Sequence, residues 1–200
     1  MNSSKEMRWF STKAIQPIIR WFEEKELTFS SSSVRTDFYL PLQNKADLGI
    51  KTREGKVEIK QRMTAPVSKK LSENVEGYLE EWVKWSFKTA NDDKLLKEIV
   101  EERQHDWVEV QKERMVAILT KDLNGQLILV NANCWVDYGC QIEYTRLKIN
   151  GKQWFTFAFD WFGNQQIKLE VDFINEILED DFLKLNTSLS YAGFLGEIHK

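Results

Sequence analysis

Several things are scarce in this 200-residue chain, and each scarcity excludes something. Proline and glycine number three and nine, so long irregular loops are not expected and most of the chain should be strand or helix. Cysteine occurs only at positions 134 and 140, too few for a disulfide framework. Cys134 and Cys140 could meet across a loop, but spacing alone does not establish a bridge, and free thiols are the expectation in a reducing compartment. The two histidines, His105 and His199, have no zinc-type spacing and offer little as general bases. No apolar run approaches the roughly 20 residues that span a bilayer, and the opening MNSSKEMRWF lacks the apolar stretch of a secretory leader. A cytoplasmic location without membrane contact is therefore expected. The net charge of −3 shows no basic excess of the kind that nucleic-acid binding requires. The length suits one domain over 1–200 with a full core.

What is abundant is aromatic and alternating. Eight Trp and twelve Phe favour strands. The most informative stretch is Leu48 to Arg62, LGIKTREGKVEIKQR, two short strands joined at Glu54-Gly55. Side chains alternate across a strand, so Lys51, Arg53, Glu58, Lys60 and Arg62 share one face, and Ile50, Val57 and Ile59 the other. Four cations with one carboxylate on one face repel one another unless an anion, a counter-charge or water relieves them.

The rest of the chain reads as follows. Lys5 to Phe10 is a first strand with Glu6 and Arg8 opposite Met7 and Trp9. Ala14, Ile18, Ile19 and Phe22 predict a helix ending near Glu24. Ser30 to Ser33 is a polar linker, and Val34 to Leu40 alternates with Arg35, Asp37 and Tyr39 together. Pro66 breaks the strand after the hairpin. Val75, Leu79, Trp82, Val83 and Phe87 fall on one helical stripe, predicting a helix over 73–87 with that stripe in the core. A further helix is expected from Asp92 to about Arg103. The acidic group Glu101, Glu102, Asp106 and Glu109 reads as a solvated helix end. Strands then follow over 107–121, 126–130, 140–149 and 153–161, with Asn124-Gly125 and Asn150-Gly151 as hairpin turns. A closing helix over 166–178 would bury Ile167, Val171, Ile174 and Leu178, and the tail with Ser190-Tyr191 would fold back as a last short element. About eight strands and four helices result, enough strands to close a small barrel.

Several strands pair an apolar face with a face of isolated charges: Gln141, Glu143 and Thr145; Thr156, Ala158 and Asp160; Lys112 and Arg114. In a sandwich those faces are wet. In a barrel with a charged interior, cations from facing strands converge on a multiply charged anion at low dielectric, and carboxylates among them could hold a hard divalent ion.

The order of Glu6-x-Arg8, Asp37-x-Tyr39, Leu48-Gly49-Ile50-Lys51-x-Arg53, a short glycine turn and Glu58-Ile59-Lys60-x-Arg62 resembles the CYTH (triphosphate tunnel) superfamily. The resemblance implies an α+β fold, an antiparallel eight-stranded tunnel-like β-barrel with helices packed outside. It implies binding, and hydrolysis if catalytic, of a phosphorylated small molecule such as a triphosphate, nucleotide or polyphosphate, with Mg²⁺ or Mn²⁺ as cofactor for catalysis. It casts Lys51, Arg53, Lys60, Arg62 and Arg114 as phosphate ligands, Glu6 and Glu143 as catalytic, and Glu6, Glu143 and Asp160 as metal ligands. The chain departs from the family's E-x-E-x-K first strand, for Arg8 stands at the second carboxylate and Phe10 at the lysine. Glu143 and Asp160 stand singly where the family offers E-x-E. Three functions stay open at this point: a metal-dependent triphosphate hydrolase, a non-catalytic module for a phosphorylated ligand, and a structural or interaction protein whose polar interior is internally paired.

Overall fold

The structure, a computed structural model, describes residues 2–29, 34–90, 93–100, 102 and 106–199. Its strands are β1 (Asn2–Ser11), β2 (Arg35–Leu40), β3 (Leu48–Arg53), β4 (Lys56–Arg62), β5 (Val67–Ser72), β6 (Val75–Lys88), β7 (Val108–Lys121), β8 (Leu127–Asn131), β9 (Gly139–Ile149) and β10 (Lys152–Phe162). Eight of them close a barrel in the order β1-β10-β9-β7-β2-β3-β4-β6 and back to β1, with every pairing antiparallel. β5 and β8 lie outside this ring, on β6 and β7. The 54–55 and 150–151 turns place both central residues at positive φ, 48° and 68° in the first and 50° and 76° in the second. That backbone matches the twist of a two-residue hairpin.

The main apolar core lies outside the barrel. The outward faces of β1, β10, β9 and β7 present Met7, Trp9, Phe157, Phe159, Trp161, Ile142, Tyr144 and Met115 to two helices, α1 (Gln16–Glu23) and α3 (Val171–Leu178). α1 carries Pro17 in its first turn, where its fixed φ is suited, and buries Ile18, Trp21 and Phe22; α3 buries Ile174, Ile177 and Leu178. The barrel closes tightly where β6 passes β1: a Cβ on Gly77 would sit 2.4 Å from the Trp9 ring, and the Trp9 indole donates to the Glu76 carbonyl at 2.8 Å.

A second apolar cluster fills one end of the barrel interior. Phe10, Tyr39, Val108, Val110, Leu147 and Ile149 point inward there and receive Phe194 and Leu195 of helix α4 (Tyr191–Ile198). Phe10 and Phe194 stack with centroids 3.9 Å apart. Ser190 caps α4, its hydroxyl accepting from the Gly193 amide at 3.2 Å and donating to the Ala46 carbonyl at 3.2 Å. The tunnel is thereby a cup, stoppered at one end by the last helix.

Some expectations need correction. Residues 73–87 are not a helix: after a turn at 73–74, β6 covers the rest, and Trp82 and Lys84 line the interior. Residues 166–170 are not helical; Ile167 is buried in extended chain, accepting from the Trp161 indole at 2.8 Å, while Val171 is half exposed and Ile177 takes its place in the core. The 126–130 strand forms as β8 but stays off the barrel. As expected, the barrel is closed and eight-stranded with α1 and α3 packed outside it, and α4 adds a stopper at one end. Cys134 is exposed and Cys140 buried, and both are free thiols. α2 (Lys94–Val100) accounts for part of the 92–103 helix, whose ends, like Ser30–Ser33, Glu101 and His105, lie outside the described residues. Glu109 belongs to β7 rather than to a helix end. No described helix is long and apolar enough to cross a membrane.

Candidate functional site

The interior not occupied by α4 is a cavity of about 480 Å³ reached by side chains from all eight barrel strands and floored by Ser190, Tyr191 and Ala192. Period-two alternation turns one side chain in two toward it, and in this chain those positions carry most of the charge. The charges fall into two walls of different balance.

The first wall spans β1, β10, β9 and neighbouring parts of β4 and β7. Its centre is Arg8, buried, whose guanidinium donates to Glu6 Oε1 at 2.6 Å, Glu143 Oε1 at 3.0 Å and Thr156 Oγ1 at 3.3 Å. Lys60 takes the other oxygen of Glu6, and Arg114 takes the other oxygen of Glu143 at 2.9 Å. Arg8 also stacks on the Tyr191 ring, 4.8 Å from its centroid. The result is an alternating ribbon, Lys60–Glu6–Arg8–Glu143–Arg114. Burial raises both glutamates, but Lys60 and Arg8 drive Glu6 well below the usual carboxylate range, and Arg8 and Arg114 bring Glu143 down to about 2. Asp160, paired in register with Glu6, completes this wall. Its Oδ1 has no hydrogen-bond partner, and burial, with Glu6 nearby, pushes it up to about 6 against the pull of Lys60. Arg8, Lys60 and Arg114 balance Glu6, Glu143 and Asp160.

The second wall spans β2, β3, the start of β4, β6 and the start of β7, and it does not balance. Asp37, fully buried, meets Arg35 at 3.0 Å, Lys112 at 3.0 Å and Lys51 at 3.4 Å. Glu58 meets Lys51 at 2.8 Å, Arg53 at 3.6 Å and Lys84 at 3.9 Å. Five cations (Arg35, Lys51, Arg53, Lys84, Lys112) thus share two carboxylates (Asp37, Glu58), a surplus of three; Arg53 further approaches the exposed turn residue Glu54 at 3.9 Å. Lys112 sits deepest, bonded to the Tyr39 hydroxyl at 2.7 Å and lying 3.8 Å from the Tyr191 ring centroid. Burial, then the like charges of Lys51 and Arg35, push Lys112 well below the ordinary lysine value although Asp37 pulls it up. Burial lowers Lys51 too. For both lysines burial outweighs the pull of the carboxylates beside them.

All the residues cast in the sequence as phosphate, catalytic or metal ligands, except Arg62, line this cavity. Arg62 donates to Glu80 instead. Lys60 and Arg114 are committed to Glu6 and Glu143, whereas Lys51 and Arg53 belong to the cation-rich wall. Sequence reasoning passed over Arg35, Lys84 and Lys112 as site residues. Their signal was parity: Arg35 shares a face with Asp37 and Tyr39, and Lys112 with Arg114. Lys84 and Trp82 were hidden by the helical reading of β6. Trp82 is 2% exposed, its indole N–H has no partner, and Lys60 lies over its ring at 5.2 Å.

The carboxylates do not fit a divalent cation as they stand. All four oxygens of Glu6 and Glu143 already accept from cations, and among the described residues no three His, Cys, Asp or Glu side chains gather as a metal site.

No protein-family model matches the sequence, and no curated protein does. Among solved structures the chain is similar to the PH1012 protein from Pyrococcus horikoshii OT3, at 15% identity over 92% of this chain and 93% of that one, with a TM-score of 0.41. It is also similar to the conserved hypothetical protein Pfu-838710-001 from Pyrococcus furiosus, at 13% identity over 94% and 98% of the two chains, with a TM-score of 0.42.

Proposed function

We propose that the cup binds a small molecule carrying a tri- or polyphosphate group, held by Lys51, Arg53, Arg35 and Lys84 over Lys112, and that it acts as a binding module. The observation that carries this reading is the surplus of three cations on one wall of a cavity in a chain whose net charge is −3. A purely structural polar interior would be expected to balance its charges, as the Arg8 wall does. A cavity of about 480 Å³ suits a small ligand rather than a macromolecule. Arginine supplies bidentate contacts to phosphate and lysine compact charge. The closed eight-stranded barrel with its inward-facing charged hairpin supports the likeness to the CYTH superfamily that the motif order suggests. Two free thiols agree with a cytoplasmic setting.

Thermal unfolding with tripolyphosphate, ATP and sulfate, each in EDTA, tests the proposal, because a ligand of the folded state raises the midpoint by mass action. Tripolyphosphate should raise it for wild type and much less for Lys51→Gln/Arg53→Gln. No rise with any anion would overturn the binding reading.

A hydrolytic reading has one group in its favour. Asp160 lies in the cavity outside the ion pairs that hold Glu6, Glu143 and Glu58, and near pH 6 it exchanges a proton in the range useful to a general base. Phosphate release from tripolyphosphate by wild type, lost in Asp160→Asn, would establish it; no release would leave binding alone.

A further inference from the structure

We infer that Arg8 is a resident counter-ion that closes the Glu6–Glu143–Asp160 cluster to divalent metals, so that the cup takes its anion without one. The second half of this statement rests on the binding reading above; the first stands by itself.

The three carboxylates come from three adjacent strands. Glu6 of β1 is paired in register with Asp160 of β10, and Arg8 and Glu143 are both paired with Ala158. These strands therefore bring carboxylate oxygens, the ligand type a hard divalent ion takes, to one part of the wall, although with Arg8 in place no three acidic side chains among the described residues gather as a metal site. The guanidinium of Arg8 stands between the two glutamates, bonded to one oxygen of each at 2.6 and 3.0 Å. Lys60 and Arg114 occupy the outer oxygens. A metal ion entering here would have to break ion pairs to both glutamates and then sit against a guanidinium that cannot release its proton. Arg8 has nowhere to retreat: it is buried, donates also to Thr156 and lies over Tyr191. Its positive charge already serves the glutamates as a metal would, and that charge is covalently fixed. The unpaired Asp160 oxygen is a single donor and makes no site alone.

The test uses Mn²⁺ alone, followed by the electron paramagnetic resonance signal of the free ion in the presence of the full-length protein. Wild type should leave that signal undiminished, and Arg8→Gln should reduce it, with the loss reversed in Arg8→Gln/Glu143→Gln. Where Arg8→Gln folds poorly, Mn²⁺ should raise its unfolding midpoint while leaving that of wild type unmoved. Arg8→Lys, which retains one charge but cannot bridge both glutamates, gives a second folded reading and should lie between. Loss of the free-ion signal with wild type, abolished by Glu6→Gln or Glu143→Gln, would overturn the inference. So would Arg8 variants that neither take up Mn²⁺ nor gain stability from it. Titration of wild type with tripolyphosphate in EDTA separates the two halves: binding there supports metal-free capture, and failure to bind removes the anion reading while the Mn²⁺ results still decide the role of Arg8.

Discussion

Arg8 and Arg53 are both inward-facing arginines, and replacing them should have opposite consequences. Arg8 joins two buried carboxylates, so Arg8→Leu leaves both short of a partner and should cost about 3–5 kcal/mol in urea unfolding, the penalty of breaking a buried pair. Arg53 is one of three cations around Glu58 and approaches it only to 3.6 Å. Arg53→Gln should leave stability within about 0.5 kcal/mol of wild type. The same change should weaken tripolyphosphate binding about ten- to hundredfold, the scale of one charge-assisted contact worth about 1.5–3 kcal/mol. The pH dependence follows from the carboxylates. Glu143, Glu6 and Asp37 have folded pKa values below their unfolded ones, so their contribution is present above about pH 4.3 and is lost as pH falls toward 2. Asp160 works with the opposite sign. Its folded pKa of about 6 exceeds its unfolded value, so the folded state loses stability as pH rises through that range. Asp160→Asn should therefore stabilise the protein at pH 7.5 and leave it little changed at pH 4, as read by thermal unfolding midpoints.

Among the elements, α4 decides the shape of the site. Phe194 is buried against Phe10 and Trp154, so Phe194→Ala should cost about 3–5 kcal/mol, measured by denaturant unfolding. The 48–62 hairpin was legible because its glycine turn and strict alternation agree, and its charged face does point inward. β6 was not legible. Val75, Leu79, Trp82 and Val83 satisfy a helical period by coincidence, and a strand whose inward face is polar lacks the usual alternation of apolar-in with polar-out. Two signals favoured a strand all the same: the β-branched and aromatic content of 75–87, and Gly77, which a helix does not need but the Trp9 ring requires. The 166–178 pattern overextended α3 because Ile167 is buried in the main core from extended chain, its carbonyl held by the Trp161 indole, a tertiary demand with no local period. The plugging role of α4 was out of reach, since an apolar octapeptide with a serine cap looks the same outside a barrel as inside one.

At the scale of the whole molecule, charge is sorted: an acidic chain concentrates a cationic surplus inside a stoppered barrel. The identities of Lys51, Arg53, Glu6, Glu143 and Asp160 as cavity residues could be read from parity, yet their division into a balanced and an unbalanced wall could not. That division depends on which strands are neighbours across the ring, and on Arg8 falling between Glu6 and Glu143. The most direct measurement is calorimetric titration of the protein with tripolyphosphate in EDTA, repeated at rising salt. One binding site is predicted, and its affinity should fall as salt rises, because the anion is held by cations that outnumber their carboxylates. Absence of binding, or binding unchanged in Lys51→Gln/Arg53→Gln, would contradict it.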